Sequence, residues 1–106
     1  MGNYSSYIAG IINKQRRKAA SRLTSGSQLV AKREPDNPVD PNAVALYLGD
    51  HTMVGYIPAR HASWLAERMD KGRSVFVQVK DVRLEGFFWN RRVFVDVTIK
   101  TGVDAE

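Results

Sequence analysis

The stretch Arg91-Arg-Val-Phe-Val-Asp-Val-Thr-Ile-Lys100 carries an apolar, β-branched residue at every second position: Val93, Val95, Val97 and Ile99. Successive side chains of a strand point to opposite faces. A strict two-residue period of such residues therefore predicts a strand with one buried face. The stretch from Ser74 to Glu85 repeats the pattern through Val75, Val77 and Val79. These are the two longest strands expected, and Gly86-Phe-Phe-Trp-Asn90 connects them as a hairpin.

Working outward from this hairpin, Ala59 to Met69 has a helical period, with Ala62, Leu65, Ala66 and Met69 on one stripe and Trp64 packed at its edge. Pro58 stops the strand that precedes it, Thr52 to Ile57, because proline cannot donate to a ladder. Gly49-Asp-His51 turns that strand back onto Ala43 to Leu48. Further upstream, Gln28 to Arg33 reads as a strand and Gln15 to Leu23 as a short helix, with Asn13 as its N-cap and Ala19, Ala20 and Leu23 on its buried face. Tyr4 to Ile12 is the expected first strand. Six strands and two short helices make a mainly β domain. They are enough for a small closed or nearly closed barrel, which removes the sheet edges that invite aggregation.

At 106 residues the chain fits one domain, 1–106, with its core at about 6–100 and a frayed tail at 101–106. It holds no cysteine and two histidines, His51 and His61, so a metal site is not expected and neither is a cysteine nucleophile. No apolar run approaches the ~20 residues that span a bilayer, and the first residues lack the pattern of a signal peptide. The expected compartment is the cytoplasm, with no membrane contact.

The net charge of +5 is unevenly spread. Residues 1–33 hold seven basic and no acidic residues, while the remainder sums to −2. Lys14, Lys18 and Arg22 form an i, i+4, i+8 stripe on the first helix. Such a field attracts polyanions; it also serves simply as a solvated helix face. The loop Glu34-Pro-Asp-Asn-Pro-Val-Asp-Pro-Asn42 is ordered by its three prolines and by Asn and Asp side chains that bond nearby backbone. It reads either as a rigid connector or as a polar rim that accepts hydroxyls and offers amides.

Enzyme chemistries find little support. No glycine-rich phosphate loop exists, so no nucleotide cofactor is expected. Pro35-Asp36 resembles the opening of a metal-nuclease signature, but Gln78-Val79-Lys80 puts glutamine where the second carboxylate must stand. The chain is expected to be a binding module without catalytic residues or cofactors.

Arg33-Glu-Pro-Asp-Asn-Pro-Val-Asp-Pro-Asn-Ala-Val44, then Val54-Gly-Tyr-Ile-Pro58, then Ala62 and Leu65-Ala66, resemble the HIRAN domain over about residues 6–100. The resemblance is to a free-standing domain of prokaryotic or phage type. It implies a modified, OB-like barrel that binds single-stranded DNA or DNA 3′ ends, with a helicase or other DNA-repair or DNA-metabolism protein as a further partner. It places Asp36, Asn37 and Asp40 in the pocket loop. The expected rim is Arg33, Asp36, Asn37, Asp40 and Tyr56, with phosphates along Lys14, Arg17, Lys18 and Arg22. Val39 stands where the DNA-end binders carry tyrosine and Tyr56 where some carry histidine. The Arg-Tyr pair they carry near the first strand has no match at Ile11, Ile12 and Asn13. Tyr56 then offers either a stacking surface or a packed ring. Phe87, Phe88 and Trp89 offer either a second platform, a lid over the barrel mouth, or a contact between molecules. The alternative is a protein-interaction adaptor in DNA metabolism. A monomer or weak dimer is expected.

Overall fold

The computed structural model describes residues 2–49, 51–87 and 91–102; Phe88 and Trp89 of the aromatic turn lie outside the described residues. The two valine-rich strands form as expected, β5 (Val75–Glu85) antiparallel to β6 (Arg92–Thr101). Val77, Val79, Val93, Val95, Val97 and Ile99 are all buried. In β5 a bulge between Val79 and Asp81 shifts the register. An extra residue in one strand bends it and increases its twist. Before the bulge β5 also pairs with β2 (Gln28–Arg33), at Gln28–Gln78 and Leu29–Val77. Beyond it the hairpin continues without β2; β5 becomes largely exposed there, while Val93 and Val95 of β6 stay buried.

The sheet has the order β1-β6-β5-β2-β3-β4, with β1 at Gly2–Tyr7 and the expected hairpin of β3 (Val44–Leu48) and β4 (Thr52–Tyr56) at the far side. Its two ends meet. Ala9 N donates to Tyr56 O at 2.7 Å, and Tyr56 N donates to Ala9 O at 2.8 Å. This single antiparallel bridge laces the curled sheet into a half-barrel. The expected first strand, Tyr4 to Ile12, is therefore corrected: it begins at Gly2 and ends at Tyr7, and the chain turns away at Gly10, whose φ is +73°. The far end is corrected too. Thr101 is buried in β6 between Gly2 and Val75, and its Oγ1 accepts from Arg68 Nη1 at 3.3 Å, so it is no part of a frayed tail. Residues 103–106 lie outside the described residues.

Two helices cover the half-barrel. In α1 (Lys14–Ser21) Asn13 Oδ1 accepts from Arg16 N at 2.8 Å, the expected N-cap, and Ala19 and Ala20 are buried with the following Leu23. In α2 (Ala59–Asp70) Ala62, Leu65 and Ala66 face the core, and Trp64 packs on Tyr4 with ring centroids 4.7 Å apart. Leu46 and Leu65 are fully buried, worth about 1.5–3 kcal/mol each relative to exposure.

The seam between α2 and β1 holds a titratable contact. Ser6 Oγ, nearly buried, shares a hydrogen bond of 2.7 Å with His61 Nδ1. Burial holds the His61 imidazole below its ordinary range, and the Arg60 guanidinium adds to this. A histidine depressed by folding binds fewer protons folded than unfolded. Its contribution is complete above the ordinary value of 6.5 and is lost as pH falls through the folded value. As pH falls below about 6.5, melting temperature should therefore drop more steeply for the wild type than for His61→Asn. Parallel slopes in the two proteins would show that another group carries the acid sensitivity.

Candidate functional site

The loop between β2 and β3 is built from its own side chains. Glu34 N donates to Ala43 O at 3.0 Å and closes the loop at its base. Asn37 organises the turn: its Oδ1 accepts from Val39 N at 2.9 Å and Asp40 N at 3.1 Å, and its Nδ2 donates to Glu34 Oε1 at 2.9 Å. Asp40 Oδ1 in turn accepts from Asn42 N at 2.8 Å. Short polar side chains that satisfy backbone N–H groups two or three residues on are what let this proline-rich segment hold one shape.

Against this loop stands Tyr56, at the end of β4. Its hydroxyl donates to Glu34 Oε1 at 2.9 Å. Burial, and secondarily that bond to a carboxylate, push its phenol above the ordinary value. Together Arg33, Glu34, Pro35, Asp36, Asn37, Pro38 and Tyr56 line an open cleft of about 530 Å³. The Arg16 guanidinium lies over the Tyr56 ring, 5.5 Å from its centroid, while Arg16 Nη1 donates to Gly10 O at 2.9 Å. An arginine and a tyrosine thus do stand together here, but they come from α1 and β4 rather than from one strand. Arg16 is absent from the residues expected on sequence. The signal for it was its place one turn from Asn13 and beside Ala19 and Ala20, which points it inward rather than along the exposed stripe.

The expected rim residues fare differently. Asp36, Asn37, Arg33 and Tyr56 all line the cleft; Asp40 does not. Arg33 is engaged: Nε and Nη2 meet Asp70 Oδ1 and Oδ2 at 2.9 and 3.2 Å, and Nη1 donates to Ala43 O at 2.9 Å. Its bonds to Asp70 hold that carboxyl below the ordinary range and tie the end of α2 to β2. Asn37 is spent on the loop itself. Asp36 is exposed, and among the described residues nothing bonds its carboxylate. Val39 is 92% exposed and takes no part in the cleft.

The basic residues gather elsewhere. Lys14, Arg17 and Lys18 line a second groove of about 350 Å³ with Ser21, Leu84, Arg91 and Val93. Arg22, in the expected phosphate stripe, is outside this lining; it caps α1, its N–H bonding Ala19 O and Ala20 O. Among the described residues no group of three or more His, Asp or Glu side chains could hold a metal ion, and no helix is long and apolar enough to cross a membrane.

A curled six-stranded sheet with two helices, a self-braced polar loop and an open cleft beside that loop define a small half-barrel domain. The sequence pattern of the HIRAN domain matches residues 2–100, and the chain belongs to the HIRAN domain family. Two solved structures are similar. One is the HIRAN domain of human HLTF, 20% identical, with a TM-score of 0.71 over 94% of this chain and 74% of that one. The other is a protein from Lactobacillus plantarum, 18% identical, with a TM-score of 0.66 over 93% and 99%. At these identities the likeness is one of fold. No curated protein matches the chain.

Proposed function

We propose that this HIRAN domain is a non-catalytic module that binds single-stranded DNA at its 3′ end, with the terminal nucleotide in the cleft between residues 33–38 and Tyr56. The observation that carries this reading is the pairing of unlike groups there. Asp36 and Glu34 bring carboxylates to a cleft whose tyrosine is covered by the Arg16 guanidinium. Carboxylates accept hydrogen bonds from hydroxyls and repel phosphates, so a chain is best placed there by an end that has a hydroxyl and no phosphate. Arg16 then suits the first phosphate inward from that end, since phosphate contacts fix the position of a strand. The +7 field of residues 1–33 draws the polyanion in. The partner on this reading is a DNA end handled by a helicase or other DNA-metabolism protein in the cytoplasm.

Fluorescence anisotropy with two labelled oligonucleotides tests it, one ending in a 3′-hydroxyl and one in a 3′-phosphate. A single close like-charge contact costs about 1 kcal/mol in water, so the wild type should prefer the hydroxyl end by about fivefold or more. Asp36→Asn keeps the shape and removes the charge, and should erase most of that preference while leaving the melting temperature in place. Equal binding of both ends by the wild type removes end recognition from the cleft. Binding of neither end leaves the domain as a protein adaptor.

A further inference from the structure

Lys14, Arg17, Lys18 and Ser21 are spaced i, i+3, i+4 and i+7, which makes them one face of α1. That face forms a wall of the second groove, and Arg91 stands with Leu84 and Val93 in its lining from the β5–β6 hairpin. Leu84 is 54% exposed. Lys14, Arg17, Lys18 and Arg91 form no ion pair with a carboxylate among the described residues, although Arg17 Nη1 donates to Ile12 O at 3.3 Å. Four uncompensated cations therefore surround an aliphatic floor. On the same helix Arg16 turns the other way, onto Tyr56 and the end-binding cleft. One helix thus lines the groove with Lys14, Arg17 and Lys18 and lays Arg16 over the tyrosine that lines the cleft.

We infer that this groove is the track for the nucleotides that follow the terminal one, and that it takes a single strand rather than a duplex. The inference rests on the end-binding reading of the cleft. A single strand is itself two-sided, with charged phosphates along one side and apolar sugar and base faces along the other. The groove has the same division: cations at its rim and Leu84 and Val93 at its floor. A duplex hides its base faces and gains nothing from that floor. The strand leaves the cleft at Arg16 and crosses α1, whose width with side chains is about 10–12 Å. It then lies between Lys14, Arg17, Lys18 and Arg91. A terminal dinucleotide fills only the cleft, so affinity should rise with length until the groove is filled, within the range of about 4–16 nucleotides usual for small β-barrel binders.

The test uses the full chain and two oligothymidylates with free 3′-hydroxyls, a dinucleotide and one of about ten nucleotides. Wild type should bind the longer one at least tenfold more tightly, with a salt slope steeper by about 0.7 log units for each extra phosphate contacted. Arg91→Glu, and separately Lys14→Glu with Lys18→Glu, should lower affinity for the long strand about tenfold and flatten its slope, while leaving the dinucleotide unaffected. Lys100→Glu, the same charge change on the outer face of β6, should do little to either. A duplex of equal length should compete weakly. Equal affinity for both lengths, or an Arg91→Glu protein that binds the long strand as wild type does, overturns the track and leaves the cleft reading standing. Length-dependent binding with no preference between 3′-hydroxyl and 3′-phosphate ends keeps the track and removes the cleft's role. Failure of the long strand to bind, with a polyglutamate peptide bound instead and released by Arg91→Glu, overturns the track and assigns the groove to an acidic protein segment.

Discussion

Replacing Gly55 by alanine should destabilise the domain by roughly 3 kcal/mol or more. A Cβ at this position would stand 2.5 Å from both Ala9 O and Ile8 Cγ2. The first of these is backbone and cannot rotate aside. It is also the acceptor of the Tyr56 N–H, one half of the bridge that joins the two ends of the sheet. Relief of the clash therefore requires the chain at Ile8 and Ala9 to move off β4. That movement costs the bridge, exposes Ile8, and overfills a position that now holds only hydrogen. Equilibrium urea unfolding of Gly55→Ala measures the loss. Because Tyr56 follows immediately, the variant that remains folded should also bind oligonucleotides poorly. Stability within a few tenths of a kcal/mol of wild type would show that the bridge does not hold the half-barrel together.

Asn37→Ala should cost about 1–3 kcal/mol. It removes the acceptor for two backbone N–H groups, of Val39 and Asp40, and the donor to Glu34. Glu34 Oε1 would keep only the Tyr56 hydroxyl, so the rim of the cleft loosens together with the turn. The loss should appear in folding, as a lower urea midpoint at unchanged slope, and binding should weaken in step. A variant with unaltered stability and weakened binding would instead make Asn37 a direct ligand contact. Unaltered stability and binding would show the side chain to be dispensable.

The strands, the helices and much of the core were legible in the sequence because their information is local. The two-residue period of Val93 to Ile99 and the stripe of Ala62, Leu65 and Ala66 name their own buried faces. Asn13 announced the start of α1, and three prolines with Asn and Asp announced an ordered loop. The residues of the loop pointed to the family.

Other features depend on groups far apart in the chain, and periodicity carries no record of them. The bridge between Ala9 and Tyr56 ends β1 early, and the close approach of Ile8 and Ala9 that comes with it leaves room only for glycine at position 55. Arg33 read as a rim cation until Asp70, contributed by the end of α2, engaged its guanidinium. Arg16 was indistinguishable from its basic neighbours until β4 set Tyr56 beneath it. Arg91 entered the groove only because the β5–β6 hairpin, bent at its bulge, returns to α1. Secondary structure follows from which side chains repeat along a few residues. The partner of a charge or a ring follows from which distant backbone segments packing brings within hydrogen-bond reach, and that is a property of the folded chain alone.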